Sequence, residues 1–338
     1  MSRLIKVTFL TTIVIVLALV GWKFFYKTKI LSPIGQGSPD QKTKLLQYTY
    51  TALRKTKFSG SDIIIDKILK QGEGFVSYLF YYQTRGKKVS GLLNVPSKAG
   101  NYPLIIMFRG YVDPKNYFTG DGTVHGGELL AQNGFITVAP DFLGYGFSDP
   151  GSSDPMEDRF LTYVTALELM HSVNNLNSAL SKKSISARFD GKNIGVWGHS
   201  NGGQIALSVM EISGENYPTV LWAPVSKPFP YSILFYTDEA DDQGKSLIKL
   251  VADFEKDYNA EDYSLTNYFD WIKAPLEIHQ GTADIEVPQF WSDELVDILK
   301  KKGKSVEYYT YSGEDHNFDR GSWPTIMERT MDFYKKHF

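Results

Sequence analysis

Gly198-His199-Ser200-Asn201-Gly202 decides the reading of this chain. It fits G-x-S-x-G, and its flanks fit as well. Asn193-Ile194-Gly195-Val196-Trp197 precedes it, a short apolar run that reads as a buried strand. Gly203-Gln204-Ile205-Ala206-Leu207-Ser208-Val209-Met210 follows, apolar at helical spacing. Strand, tight turn and helix together give the motif its meaning: the serine sits on a strained turn with its hydroxyl raised above a sheet. Glycines two residues to either side leave room for that turn, where a side chain would clash.

Two further blocks lie downstream. Leu276 to Gly281 reads as a strand and leads into Thr282-Ala283-Asp284. Val306 to Tyr311 reads as another and leads into Gly313-Glu314-Asp315-His316. Both candidates therefore sit just past strand ends, the edge where an open parallel α/β sheet binds ligands. The order Ser200, Asp284, His316 is that of the α/β hydrolases. In such a triad Ser200 attacks a carbonyl carbon, His316 carries the proton, and Asp284 orients the imidazole. Glu286, Glu314 and Asp315 are nearby carboxylates, read as solvated loop charges.

These blocks resemble the catalytic domain of the prolyl oligopeptidase family of serine peptidases. Phe189 to Gly203 is similar to that family's nucleophile block, Gln280 to Pro288 to its acid loop, and Tyr311 to Phe318 to its histidine loop. The resemblance runs over roughly residues 75–338. It implies an α/β-hydrolase fold: a mostly parallel, doubly wound sheet with an antiparallel N-terminal edge and a small helical cap. It implies peptide-bond hydrolysis, with catalytic residues Ser200, Asp284 and His316 and no cofactor or metal. The oxyanion donors carried over are the backbone N–H groups of Asn201 and Tyr111. Many relatives carry His-Gly where this chain has Arg109-Gly110. Phe108 stands near the place of a tyrosine whose hydroxyl serves many family peptidases.

Between Thr219-Val220-Leu221-Trp222 and the Asp284 strand lies an interval, about 225–270, rich in aromatics and read as the cap. Trp222, Tyr117, Phe118, Phe229 and Tyr231 are the candidate substrate-pocket residues. Packing of a small helical cap is the competing reading for each. Asp141 is read as fixing a turn, and His171 as a helix residue.

Net charge is −2, which gives no electrostatic case for nucleic acid. The absence of cysteine excludes disulfides and thiolate chemistry. Residues 1–30 hold five basic residues and no acid; 36 less five leaves 31 basic against 38 acidic elsewhere, a net −7. Val7 to Trp22 is uncharged and apolar apart from threonines. As a helix it spans about 24 Å, short of a hydrocarbon core of about 30 Å, with Lys6 and Lys23 placed to snorkel. We read residues 1–30 as a membrane anchor with the enzyme body extracytoplasmic, the rival being a cleaved signal peptide and a secreted enzyme. Residues 31–40 form a linker, and 41–338 the catalytic domain. A helix is expected from an N-cap at Ser38 to about Arg54.

The resemblance implies hydrolysis of short peptides; the triad itself does not separate peptides from esters, because both pass through the same acyl-enzyme. A carboxylesterase on small or aryl esters is the alternative. A catalytically dead, membrane-tethered binding protein is the third reading.

Overall fold

The computed structural model describes residues 43–239 and 242–338. The anchor and linker expected in 1–40, and the start of the Ser38 helix, lie outside the described residues. Among the described residues no helix is long and apolar enough to cross a membrane.

The expected helix to Arg54 is broken. A 3₁₀ turn spans Lys44–Tyr48, Thr49 is extended (ψ 148°), and α1 covers only Tyr50–Lys55. The Thr49 hydroxyl accepts from the Ala52 N–H, so this threonine caps a new helix rather than continuing the old one.

Three antiparallel strands follow: β1 Ile64–Gly72, β2 Phe75–Thr84 and β3 Lys87–Pro96. The β2–β3 hairpin turns through Arg85 and Gly86, both at positive φ (47° and 76°). That is the two-residue turn whose twist matches paired strands. Then come β4 Gly100–Phe108, α2 Val124–Gln132, β5 Ile136–Pro140 and α3 Pro155–Ser172. Helix α3 starts where its sequence says: Asp154 accepts from the N–H groups of Met156 and Glu157, and Pro155 fills the first turn. On it His171 stacks against Phe58, an ordinary packing role. After α4 Leu176–Lys182 the chain enters β6 Ala187–His199, α5 Asn201–Ser213 and β7 Thr219–Trp222. Helix α5 is buried on nearly every side and ends at Gly214 in the left-handed conformation.

Short helices fill the interval before β8, among them α6 Tyr231–Leu234 and α7 Lys245–Phe254. The chain closes with β8 Leu276–Gly281, α8 Gln289–Lys301, β9 Val306–Tyr311 and α9 Trp323–His337. Residues Thr43–Phe338 form one compact unit.

The nine strands run in the order β1-β2-β3-β5-β4-β6-β7-β8-β9. From β5 onward every pairing is parallel, and β3 joins β5 antiparallel. This is an α/β-hydrolase-like fold with the expected antiparallel edge. The central strands are buried on both faces, which explains their continuous apolar runs. Strand order reverses at β4: the next strand, β5, lies to one side of it and β6 to the other. That switch point opens a crevice beyond the carboxyl ends of β4 and β6. Phe108 pairs with Gly198, His199 with Trp222, and Gly281 with Tyr311. The loops carrying Gly110, Ser200, Asp284 and His316 thus all leave one edge.

Candidate active site

Ser200 joins β6 to α5 at φ 56° and ψ −122°. A non-glycine residue there costs on the order of 1–3 kcal/mol, so the surroundings must impose it. The Ser200 N–H donates to the Trp222 carbonyl at 2.9 Å, and its own carbonyl accepts from Gly203 and Val225. The motif glycines are required by close approach. A Cβ on Gly202 would overlap the Phe108 carbonyl, one on Gly198 the Gly202 carbonyl. Among the described residues Ser200 Oγ has no hydrogen-bond partner, and the residue is partly open to solvent.

The loops after β8 and β9 bring Asp284 and His316 together. His316 Nδ1 lies 2.8 Å from Asp284 Oδ2, with both side chains buried. Asp284 Oδ1 accepts from the N–H groups of Glu286 (3.0 Å) and Val287 (2.8 Å). Its Oδ2 also accepts from Gln280 Nε2 at 3.0 Å. Gln280 is held in turn, donating to the Val287 carbonyl and accepting from Ser292. Four hydrogen bonds leave the carboxylate one orientation, with Nδ1–H of His316 as its partner and Nε2 facing away. Glu286, largely exposed, reaches within 3.8 Å of that Nε2.

His199, the residue before the serine, is a second support. Its Nε2 donates to the His316 carbonyl at 3.0 Å, and the two rings lie 4.6 Å apart. Burial, and then the neighbouring His316 ring, push the His199 imidazole down to about 3, so it is neutral. Glu314 corrects the reading of a solvated charge. It is buried and accepts from the Arg320 and Ser322 N–H groups, which fixes the histidine loop. Asp315 pairs with Arg320 instead of His316.

Gly110 lies against the serine: a Cβ there would stand 3.1 Å from Ser200 Cβ and 3.6 Å from Oγ. Arg109 is not a solvated loop residue. It is 6% exposed, donates to the carbonyls of Gly110 (2.8 Å) and Asp141 (3.1 Å), and packs between the rings of Tyr145 and Tyr117. A peptide's C=O and N–H point in opposite directions. Tying the Gly110 carbonyl to Arg109 therefore also sets the direction of the Tyr111 N–H. Asn201 begins α5, where an N–H has no partner inside the helix. Asp141 ties the turn, accepting from Ser90, Tyr117, Thr119 and the Gly120 N–H.

Tyr111 and Asn201 line a cleft of about 230 Å³, whose far wall is α3 with Arg159 and Tyr163. None of the five expected pocket residues lines it. Trp222 points to the opposite sheet face and packs on Trp197 and Phe318. Side chains alternate along a strand, so a strand's carboxyl end alone does not say which layer a residue joins. Phe229 is buried against Phe160 and Phe254. Tyr231 packs beside Trp291, 45% exposed. Phe118 is 55% exposed, and Tyr117 is spent on Asp141 and Arg109. The interval 225–270 contributes no wall to this cleft. Sequence reasoning missed Gln280, His199 as a support, and Arg159. Gln280 gave little signal, because its strand already carries the polar residues Glu277 and His279.

Comparison with known proteins bears on the family and the fold. The model of the prolyl oligopeptidase family matches residues 125–338, and the chain belongs to that family. No curated protein sequence matches it. In fold it is similar to the acetyl xylan esterase from Paenibacillus sp. R4, at 16% identity and TM-score 0.56, covering 90% of this chain and 96% of that one. It is also similar to the Pyrococcus horikoshii acylaminoacyl peptidase, at 18% identity and TM-score 0.54, covering 79% of this chain and 42% of that one. A puromycin-hydrolyzing peptidase of Mycobacterium tuberculosis matches at 16% identity and TM-score 0.54, over 77% of this chain and 39% of that one.

Proposed function

We propose that this member of the prolyl oligopeptidase family is a serine hydrolase that cleaves short peptides or small esters through an acyl-enzyme. The observation that carries the reading is the His316–Asp284 contact of 2.8 Å on the edge where Ser200 occupies its strained turn. Ser200 Oγ attacks the substrate carbonyl carbon as its proton passes to Nε2 of His316. Asp284 holds Nδ1–H and stabilises the imidazolium. The negative charge on the carbonyl oxygen is met by the N–H groups of Asn201 and Tyr111. His316 returns its proton to the leaving amine or alcohol. Water then attacks the acyl-enzyme by the same route, His316 acting as base.

Family membership favours peptide bonds. One observation favours esters as a second reading. Phe108 has no hydroxyl, and its ring is buried against Phe142, so both oxyanion donors are backbone groups. An amide demands more of those donors than an activated ester does, because its leaving nitrogen must be protonated as it departs. Labelling of Ser200 by a fluorophosphonate tests the mechanism, and a panel of aryl esters, acetylated sugars and dipeptidyl anilides tests the bond. No labelling of folded protein, with no turnover of any of these, would leave the binding-protein reading instead.

We also propose that residues 1–30 anchor the enzyme to a membrane with its body extracytoplasmic, on the strength of the uncharged Val7–Trp22 run between basic flanks. Sedimentation with membranes tests this. A mature N-terminus near Leu19 would make the segment a signal peptide.

A further inference from the structure

Arg159 sits on α3 in the wall of the cleft that also holds Asn201 and Tyr111. Its guanidinium has no hydrogen bond or ion pair among the described residues. The acids beside it in sequence are engaged elsewhere. Glu157 accepts from Tyr48 and Ser152 and pairs with Lys44 at 2.8 Å. Asp158 accepts from the Ser152 N–H at 2.7 Å. On the facing helix the Glu211 carboxyl is fully buried without a partner, and burial pushes its pKa well up, so it offers no counter-charge. Tyr163 and Asp158 share the cleft wall with it, and the titratable groups that act on it are Tyr163 and Tyr50. Desolvation accordingly lowers the pKa of this arginine.

Arg159 is partly buried with its fork of five fixed donors unpaired, and that planar fork matches a carboxylate closely. The second arginine bordering the cleft, Arg109, spends its terminal nitrogens on loop carbonyls and pairs with no carboxylate either. Asp158 also lines the cleft, with its carboxylate held by the Ser152 N–H and in no ion pair among the described residues, so two arginines stand against one acid and the lining is net positive.

We propose that Arg159 is a specificity-determining residue that binds a carboxylate on the substrate, so that the enzyme prefers esters or peptides bearing a negative charge within one cleft's length of the scissile carbonyl. This rests on the serine-hydrolase reading and goes further by naming the substrate class. The charge could lie on the acyl side, as in an acidic acyl group, or on the leaving side, as in a peptide's free C-terminal carboxylate.

Two matched ester pairs test it. 4-Nitrophenyl hexanoate against mono-4-nitrophenyl adipate places the charge on the acyl side. Phenyl acetate against 3-acetoxybenzoate places it on the leaving side. The wild-type enzyme is expected to favour the anionic member of one pair in kcat/KM. Arg159→Met should lower that anionic-to-neutral ratio at least tenfold, mainly through KM, while Arg159→Lys keeps part of it. Adipate or benzoate should compete with the neutral ester in wild type and lose that competition in Arg159→Met. Equal rates within both pairs, or an Arg159→Met that slows both members alike, would overturn the proposal while Ser200 still labels. Absence of labelling in wild type would strike at the hydrolase reading itself and take this one with it.

Discussion

The Nε2 of His199 donates to the carbonyl of His316 at 3.0 Å, so the residue before the nucleophile supports the backbone of the proton carrier. That bond needs a hydrogen on Nε2, which a neutral ring supplies in one tautomer. The folded-state pKa near 3 lies below the ordinary value of 6.5. Between those two values the unfolded chain holds a proton at this position that the folded chain lacks. Stability from the neutral ring is therefore complete above pH 6.5 and declines as pH falls toward 3, by up to about 1.4 kcal/mol per pH unit. His279 and His337, also lowered by burial, act in the same direction. Urea unfolding of wild type and His199→Asn at pH 7 and pH 5 checks this. The variant should lose less stability between the two pH values; an equal loss in both would remove His199 from the acid limb.

Ser200→Ala should abolish turnover and fluorophosphonate labelling without unfolding the protein, a loss of about 10⁶ in kcat. His316→Ala should be comparable. Asp284→Asn should cost about 10⁴, because the amide NH₂ donates to Nδ1 where the imidazole needs an acceptor, and so holds the wrong tautomer. Asp315→Asn should be mild, since Asp315 pairs with Arg320 on the outer side of the loop. Collapse of Asp315→Asn with Asp284→Asn near wild type would reassign the acid.

Gln280→Leu should lower kcat by tenfold or more with little change in KM. The lost bond at 3.0 Å frees Asp284, and through it the imidazole, without touching substrate. It should also lower the melting temperature, because Ser292 and the Val287 carbonyl lose their partner inside the protein. A rise in KM with kcat unchanged would place Gln280 in substrate binding instead.

The parts of the site legible in the sequence are those fixed by local backbone chemistry. The two motif glycines around Ser200 announce a turn that only small residues permit, and Asp284 and His316 follow short strands rich in Ile, Val and Tyr. The parts that were not legible depend on which layer lies over a residue. Trp222 and Phe229 are large and aromatic, as a pocket residue would be, yet each faces packed protein. Glu314 reads as a surface acid until two backbone N–H groups are seen to hold it inside. Arg159 carries no signal at all in one dimension, because what marks it is the lack of a counter-charge in space.

The oxyanion loop yields the last prediction. Gly110→Ala places a methyl group 3.1 Å from Ser200 Cβ, a few tenths of an ångström tighter than packed carbons sit, and in ordinary contact with Oγ at 3.6 Å. The loop must then move, and the Tyr111 N–H moves with it. Loss of one oxyanion donor costs about 10² to 10³ in kcat. Arg109→Met should have the same kind of effect by a different route. With the 2.8 Å bond to the Gly110 carbonyl gone, that peptide is free to rotate its N–H away from the site. Both variants should lose kcat far more than they raise KM, and should still bind a ground-state product analogue. Tyr111→Phe should change kcat less than twofold, because the side chain is 75% exposed and only the backbone is used. A hundredfold loss in Tyr111→Phe would mean that the hydroxyl is the donor. The role assigned to the Gly110–Tyr111 peptide would then pass to the tyrosine side chain.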